Sequence, residues 1–436
     1  MAVKLNSSTR KVEFPLLAQA RFTTDHCLKC NICTAACPVV NVTDQFLGPK
    51  AVGPQAERFR HPRLPIPDAT VSWCSGCGTC SRVCPHGVAV AEMNVQAKAR
   101  LAAQHGVPLR DQLISRPEML GQVSKPLAEF VNSALEKSIT RFSLEKLLAI
   151  DRHAPLPRFT RRTFREHFPE LCVKTPPDEG DPGERLVAYF HGCSTNYYEP
   201  ELGMITVAVL EALGCRVLLP PQNCCGLPLQ SNGLFRQARR YGQANIRHLV
   251  PFADKEIPIV GTSTSCTLEL KHEYRAVLGL AGRDFDLVAE YTRDIFEFIL
   301  EEFSGEVDNG KLEPVPRRVL YHAPCQLKSH CLGTPALEVL RRIPTLDLVL
   351  SESECCGVAG TYGVKRERYE VAYEVGEKLF QQAERAKVDI VVTDSETCRW
   401  WISHHTGIQA VHPIELLAES LGLCSAESPL PTKNPQ

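Results

Sequence analysis

The sequence predicts a multidomain protein, a mainly helical front module followed by two α/β repeats, on three observations. At 436 residues the chain is longer than one hydrophobic core serves. Eight of its 20 cysteines crowd into two short runs near the amino end. The rest of the chain carries a long internal repeat in which apolar runs, cysteines and helical stretches recur in the same order.

Composition narrows the class. Hydrophobic residues make up 44% and charged residues 23%, the values of an ordinary globular chain. A net charge of -1 argues against nucleic acid as a partner. The start, "MAVKLNSSTRKVEFPLLAQARF", lacks a signal-peptide core, and the longest apolar run, "MITVAVLEALGC", is too short to span a bilayer. A cytoplasmic location is therefore expected. There a disulfide framework is disfavoured, and clustered cysteines point to metal or redox chemistry.

The front module, residues 1–105, opens with "CLKCNICTAACP". Cys27, Cys30, Cys33 and Cys37 follow C-x2-C-x2-C-x3-C-P, and Cys74, Cys77, Cys80 and Cys84 repeat it. This is the two-cluster ferredoxin run, in which three close thiolates hold one [4Fe-4S] cluster and the fourth reaches the other. The expected ligand sets are Cys27, Cys30, Cys33 and Cys84 for the first cluster, and Cys74, Cys77, Cys80 and Cys37 for the second. Zinc is the alternative, but it takes ligands from two separated Cys-x-x-Cys arms rather than one continuous run. Residues 38–73 between the runs are longer than a compact βαβ ferredoxin needs and favour a helical type.

Residues 106–174 read as a helical linker. "LAEFVNSALEKSITRF" places Leu127, Phe130, Val131, Ala134, Leu135, Ile139 and Phe142 at helical spacing, a candidate membrane or partner face. "TPPDEGDPGE", residues 175–184, then marks a boundary.

The repeats follow, at 185–300 and 316–424. "VAYFHGC" ends at Cys193, "QNCCG" holds Cys224 and Cys225, and "VGTSTSC" ends at Cys266. "VLYHAPC" ends at Cys325, "SECCG" holds Cys355 and Cys356, and "VTDSETC" ends at Cys398, with spacings that agree to within one residue. Short β-type runs precede these thiols: 186–190, 216–219 and 257–260, then 319–321, 346–350 and 389–392. Helical stretches follow each, so a parallel sheet is expected in each copy, with the cysteines at the carboxyl rim where such sheets bind ligands. Core packing alone suits Cys172, Cys215 and Cys424 but does not explain a matched octet. Metal or cluster binding is the expectation, and a reactive thiol pair the alternative. Cys331 has no counterpart in the first copy. "GVAGTYG" at 357–363 lacks the nucleotide-loop order and reads as close backbone approach. His404 and His405 read as a solvated helix end.

These residues together resemble the family of iron–sulfur C subunits of anaerobic glycerol-3-phosphate dehydrogenase. The resemblance runs from about residue 25 to 420 and includes "GPKAVGPQAERFR", "FHGCSTNYYEPELG", "SECCGVAGTYGVKRERYE" and "TDSETCRWW". It implies a subunit that takes electrons from a flavin-containing dehydrogenase and passes them to membrane quinone, menaquinone above all. The subunit would sit peripherally on the inner face of the cell membrane. One or two further iron–sulfur clusters are implied in the Cys-Cys-Gly domains. Heterodisulfide reductases and the iron–sulfur subunits of lactate and glycolate oxidation share those domains and supply the alternative functions. In the heterodisulfide type a fifth cysteine completes a noncubane cluster site; here Ser263 and Ser395 stand in its place. No flavin motif or substrate-activating triad is present in the sequence, so electron transfer without catalysis by this chain is expected.

Overall fold

The computed structural model describes residues 23–59, 68–177, 185–308 and 311–423. The start of the front module, residues 178–184 of the acidic break and Cys424 lie outside the described residues.

In the front module the two cysteine runs adopt the same backbone path. Lys29 and Asn31 have φ of 62° and 72°, and the matched Gly76 and Gly78 have 73° and 77°. Left-handed residues on either side of Cys30 and Cys77 curl each run around a concave centre. Each run then enters a single helical turn, the second being α1 (Thr79–Arg82). A longer helix, α2 (Val90–His105), follows.

The linker is helical, with α3 (Pro117–Ser124), α4 (Ala128–Glu136) and α5 (Ser138–Leu148). The single helix expected over 127–142 is broken at Lys137, whose ψ of 130° is extended. The expected apolar face is split as well. Val131, Ala134 and Leu135 turn partly inward, while Leu127, Phe130, Ile139 and Phe142 are exposed. Asn132, a polar residue with no sequence signal, is buried along with Ala128: its amide donates to the Phe159 carbonyl at 2.8 Å and its oxygen accepts from Phe159 N at 2.9 Å.

Each repeat is a four-stranded parallel sheet. In the first, β1 (Arg185–Tyr189) leads to α6 (Gly192–Tyr197) and α7 (Pro200–Ala212). Next come β2 (Cys215–Leu218), α8 (Phe235–Ala253), β3 (Ile259–Gly261), α9 (Thr264–Leu268), β4 (Thr292–Asp294) and α10 (Ile295–Asp308). The second repeats this with β5 (Arg318–Tyr321), α11 (Cys325–Ser329), α12 (Pro335–Leu340), β6 (Asp347–Leu350) and α13 (Tyr369–Ala386). It closes with β7 (Ile390–Val392), α14 (Glu396–Thr406), β8 (Ala410–Val411) and α15 (Pro413–Ser420). The orders are β2-β1-β3-β4 and β6-β5-β7-β8. The six expected strands are present within two residues of their expected ends; β4 is the polar Thr-Arg-Asp and β8 only two residues long, so neither carries an apolar run to be seen in sequence.

Alternation along the first strand of each repeat decides how the repeats join. Val187 and Tyr189 face one way and Ala188 and Phe190 the other, the period of a strand. The Val187 face merges with the Val319 and Tyr321 face of the second repeat into one core containing Leu210, Phe296, Leu337 and Leu417. The packing is reciprocal: α7 lies on α15, and α10 on α12. Each buried side chain of this size contributes about 1.5–3 kcal/mol relative to exposure, so the repeats form one folded body.

The front module lies across both repeats. Val95 and Ala99 of α2 enter the outer core of the first repeat. On the second, Arg82 pairs with Glu354 at 2.8 Å and Ser329 Oγ donates to the Cys77 carbonyl at 3.5 Å.

Candidate iron–sulfur sites

Two cavities open in the front module, each enclosing about 310 Å³ including its mouth. One is lined by Cys27, Cys30, Cys33 and Cys84, with Leu28, Ile32 and His86. The other is lined by Cys37, Cys74, Cys77 and Cys80. Each run thus supplies three thiols to one cavity and its fourth to the other. The outer cavity is at the surface, with Cys30 and Leu28 exposed, whereas all four thiols of the inner cavity are buried.

The donor chemistry fits a cationic cluster. Burial pushes the Cys37 thiol up to about 12 and Cys80 well above its ordinary value, with neighbouring cysteines adding to the rise. Bare thiols in such a place stay protonated; a metal centre makes them thiolates.

In the first repeat Cys193, Cys224, Cys225 and Cys266 converge. Cys193 Sγ lies 3.6 Å from Cys224 Sγ. Cys224 accepts from the Cys193 and Cys225 thiols, which holds it low, and Cys225 also meets Cys266. The second repeat does the same: Cys355 accepts from Cys325 and Cys356, and Cys356 Sγ lies 3.1 Å from Cys398 Sγ. Glycine after each pair is needed by the turn. Gly226 and Gly357 have φ of 98° and 96°. A Cβ on Gly357 would overlap the Ala372 carbonyl of α13, so the expected close approach is to that helix.

The surroundings of the two sites differ. The first is covered by the linker, where Glu118 of α3 accepts from Cys224 N at 2.9 Å. Glu396 reaches across from the second repeat to accept from Ser194 Oγ at 3.1 Å and Ser263 Oγ at 3.3 Å. The second site abuts the inner cavity: Cys77, Cys325 and Cys355 pack as one buried group. His322, fully buried at the end of β5, also belongs here. One of its ring nitrogens, Cys356 Sγ and Cys398 Sγ lie within 4.8 Å of one another. Burial lowers this imidazole to about 4, so it is neutral.

The remaining positions sort plainly. Cys215 sits in the shared core, and burial raises it to about 11. Cys172 is half-buried beside Leu219, and Cys331 is exposed. His405 is not a solvated residue. It packs against Trp401, Phe380 and Tyr373, and desolvation lowers it to about 4. Sequence reasoning misses Glu118, Glu396 and His322; only His322 carries a signal there, three residues before Cys325 within a repeated motif.

The folds and sites define an iron–sulfur electron-transfer protein with a dicluster module and paired cysteine-rich domains. Residues 23–88 match the 4Fe-4S dicluster domain family, and 187–271 and 319–403 each match the cysteine-rich domain family. The chain is 36% identical to the C subunit of anaerobic glycerol-3-phosphate dehydrogenase from Escherichia coli K12, over 91% of this chain and 98% of that protein. It is 25% identical to the glycolate oxidase iron-sulfur subunit of the same organism, over 91% and 93%. It is also 25% identical to the B subunit of the CoM/CoB fumarate reductase of Methanothermobacter marburgensis, over 86% and 66%. The chain belongs to the family of C subunits of anaerobic glycerol-3-phosphate dehydrogenase. Among the described residues no helix is long and apolar enough to cross a membrane.

Proposed function

We propose that this chain carries electrons from a flavin-containing dehydrogenase, acting on sn-glycerol 3-phosphate, to quinone at the inner face of the cell membrane. The ligands in this reading are Cys27, Cys30, Cys33 and Cys84 in the outer cavity and Cys37, Cys74, Cys77 and Cys80 in the inner one. Cys193, Cys224, Cys225 and Cys266 hold a third centre, and Cys325, Cys355, Cys356 and Cys398 a fourth. Iron–sulfur clusters accept and release single electrons, which suits a chain between a two-electron flavin and a quinone.

The observation that carries the reading is Cys77, which lines the inner cavity and packs against Cys325 and Cys355. It joins the front module to the second repeat without a gap. Electrons enter at the surface cavity, where exposed Leu28 and Ile32 offer an apolar docking rim. The linker turns Leu127, Phe130, Ile139, Phe142 and Leu147 to solvent, a face suited to the lipid interface. A heterodisulfide-type centre is disfavoured because Ser263 Oγ is engaged by Glu396 and Ser395 Oγ by Thr397.

The test is reconstitution with purified dehydrogenase partner, menaquinone and anionic liposomes. Quinone reduction is expected only with this subunit, and Phe130→Ser with Ile139→Ser is expected to lower liposome binding. Equal quinone reduction without the subunit would refute the reading.

A further inference from the structure

The two repeats place different residues at one matched position beside their thiols. Tyr189 and Tyr321 each stand four residues before the first cysteine of their repeat. The next residue pairs its backbone N–H with the third strand in both: Phe190 N to Val260 O at 2.8 Å, and His322 N to Val392 O at 2.9 Å. Phe190 and His322 are therefore equivalent, and only one can bind metal. The strand register extends the match to the neighbouring strand, where Pro220 in the first repeat corresponds to Ser351 in the second.

Those two differences act together. His322 Nδ1 lies 3.1 Å from Ser351 Oγ, and Ser351 N donates to the Tyr321 carbonyl at 2.9 Å, so the ring's far side is anchored to the strand end. Nε2 is buried and has no hydrogen-bond partner. A buried imidazole nitrogen left without a partner is costly unless something else occupies its lone pair. One ring nitrogen lies within 4.8 Å of the Cys356 and Cys398 thiols. In the tautomer with Nδ1–H donating to Ser351 Oγ, the Nε2 lone pair is left free for a metal, the arrangement that orients metal-bound histidines. His191, the histidine next to Phe190 in the first repeat's matching motif, is committed elsewhere: its Nδ1 meets the Gly192 carbonyl at 2.7 Å and its Nε2 faces Arg165 at 3.5 Å.

We propose that His322, through Nε2, is a ligand of the iron–sulfur centre in the second repeat, and that the first repeat has no histidine ligand. This rests on the reading that the second repeat holds such a centre. A neutral imidazole beside the four cysteines adds no charge to the centre, whereas a thiolate in its place would add one and lower the potential.

The experiment uses the full chain, purified anaerobically, with 15N-labelled histidine. Pulsed EPR is recorded in whichever redox state makes the second-repeat centre paramagnetic. A directly bound 15N coupling is expected in the wild type, lost in His322→Gln and retained in His191→Gln and in His86→Gln, which controls for the histidine lining the outer cavity. His322→Cys is expected to keep its iron and shift the centre's midpoint potential downward; the wild-type spectrum needs no variant to fold. A centre with full iron content and no histidine coupling, or a coupling that survives His322→Gln, overturns the proposal and leaves the electron-transfer reading intact. A second repeat without iron overturns both.

Discussion

The first repeat keeps its thiols under a lid and the second keeps its thiols against a neighbour. Glu118 of the linker caps Cys224, and Glu396 closes the Ser263 side, so the first site is enclosed by carboxylates and has no thiol of the front module against it among the described residues. The second shares a buried contact with Cys77. Two copies of one scaffold, with the same strand order and the same Cys-Cys-Gly turn, thus differ in what covers their thiols. Duplication preserves what the backbone needs, while Phe190 and His322, matched one residue beyond the first strand of each repeat, differ where ligands are met.

The largest effect that would sharpen this contrast comes from the two contacts themselves. Cys77→Ser is expected to cut electron delivery to quinone by about an order of magnitude or more, because in the proposed ligand set it removes a cluster ligand at the junction. Glu118→Gln, which alters only the lid of the first site, is expected to leave the rate within about twofold. Stopped-flow reduction of the quinone pool reads both, and a Glu118→Gln defect as large as that of Cys77→Ser would break the comparison.

The matched glycines come next. Gly357→Ala is expected to destabilise the protein by about 3 kcal/mol or more, since the left-handed backbone is strained and the new methyl meets the Ala372 carbonyl. At Gly226 the nearest atoms of Ala238 lie 3.4 Å from such a methyl, so the cost is that of the backbone alone, about 1–2 kcal/mol. Anaerobic denaturant titration of the two variants measures the difference.

A smaller effect is electrostatic. The tyrosine at the end of the first strand bonds Thr262 in one repeat and Asp394 in the other, each at 2.9 Å. Burial raises Asp394 to about 6, although the Tyr321 hydroxyl pulls it down, and Asp294 nearby is raised too. A carboxyl that holds its proton more tightly when folded contributes stability below its unfolded value near 3.8, and that stability is lost as pH rises through about 6. Asp394→Thr, which copies the first repeat, is expected to flatten that fall and to gain on the order of 2 kcal/mol at pH 8. Thermal melts across pH 4 to 8 check it. A variant that loses stability at the upper end would show that Asp394 stabilises the charged network instead.

The smallest expected effect is on the linker. Phe130, 71% exposed, packs on little, so Phe130→Ser is expected to change folding stability by less than about 0.5 kcal/mol while lowering liposome binding.

Much of this architecture is legible in the sequence. The cysteine runs specify their own backbone through spacing, and the strand–cysteine–helix order specifies a parallel sheet. Convergence of distant thiols such as Cys193 and Cys266 follows from that order alone. What sequence does not disclose are contacts made between units: α7 on α15, Cys77 on Cys355, Glu396 beside Ser194. No local periodicity encodes which repeat the front module faces. The linker departs from its pattern for a related reason. A helical pattern records spacing, but Lys137 breaks the helix, and Phe130 before the break and Ile139 after it both face outward while Asn132 finds its partners inside. His322 stands in view within "VLYHAPC", and its meaning requires the register that sets it against Phe190.

The central claim is that the front module is wired to the second repeat and not to the first. The direct measurement is EPR of the fully reduced chain, reading the magnetic interaction between the inner dicluster site and its nearest neighbour in the cysteine-rich domains. The predicted result is an interaction that disappears in Cys325→Ser and persists in Cys193→Ser. An interaction lost in Cys193→Ser and unchanged in Cys325→Ser would contradict the account.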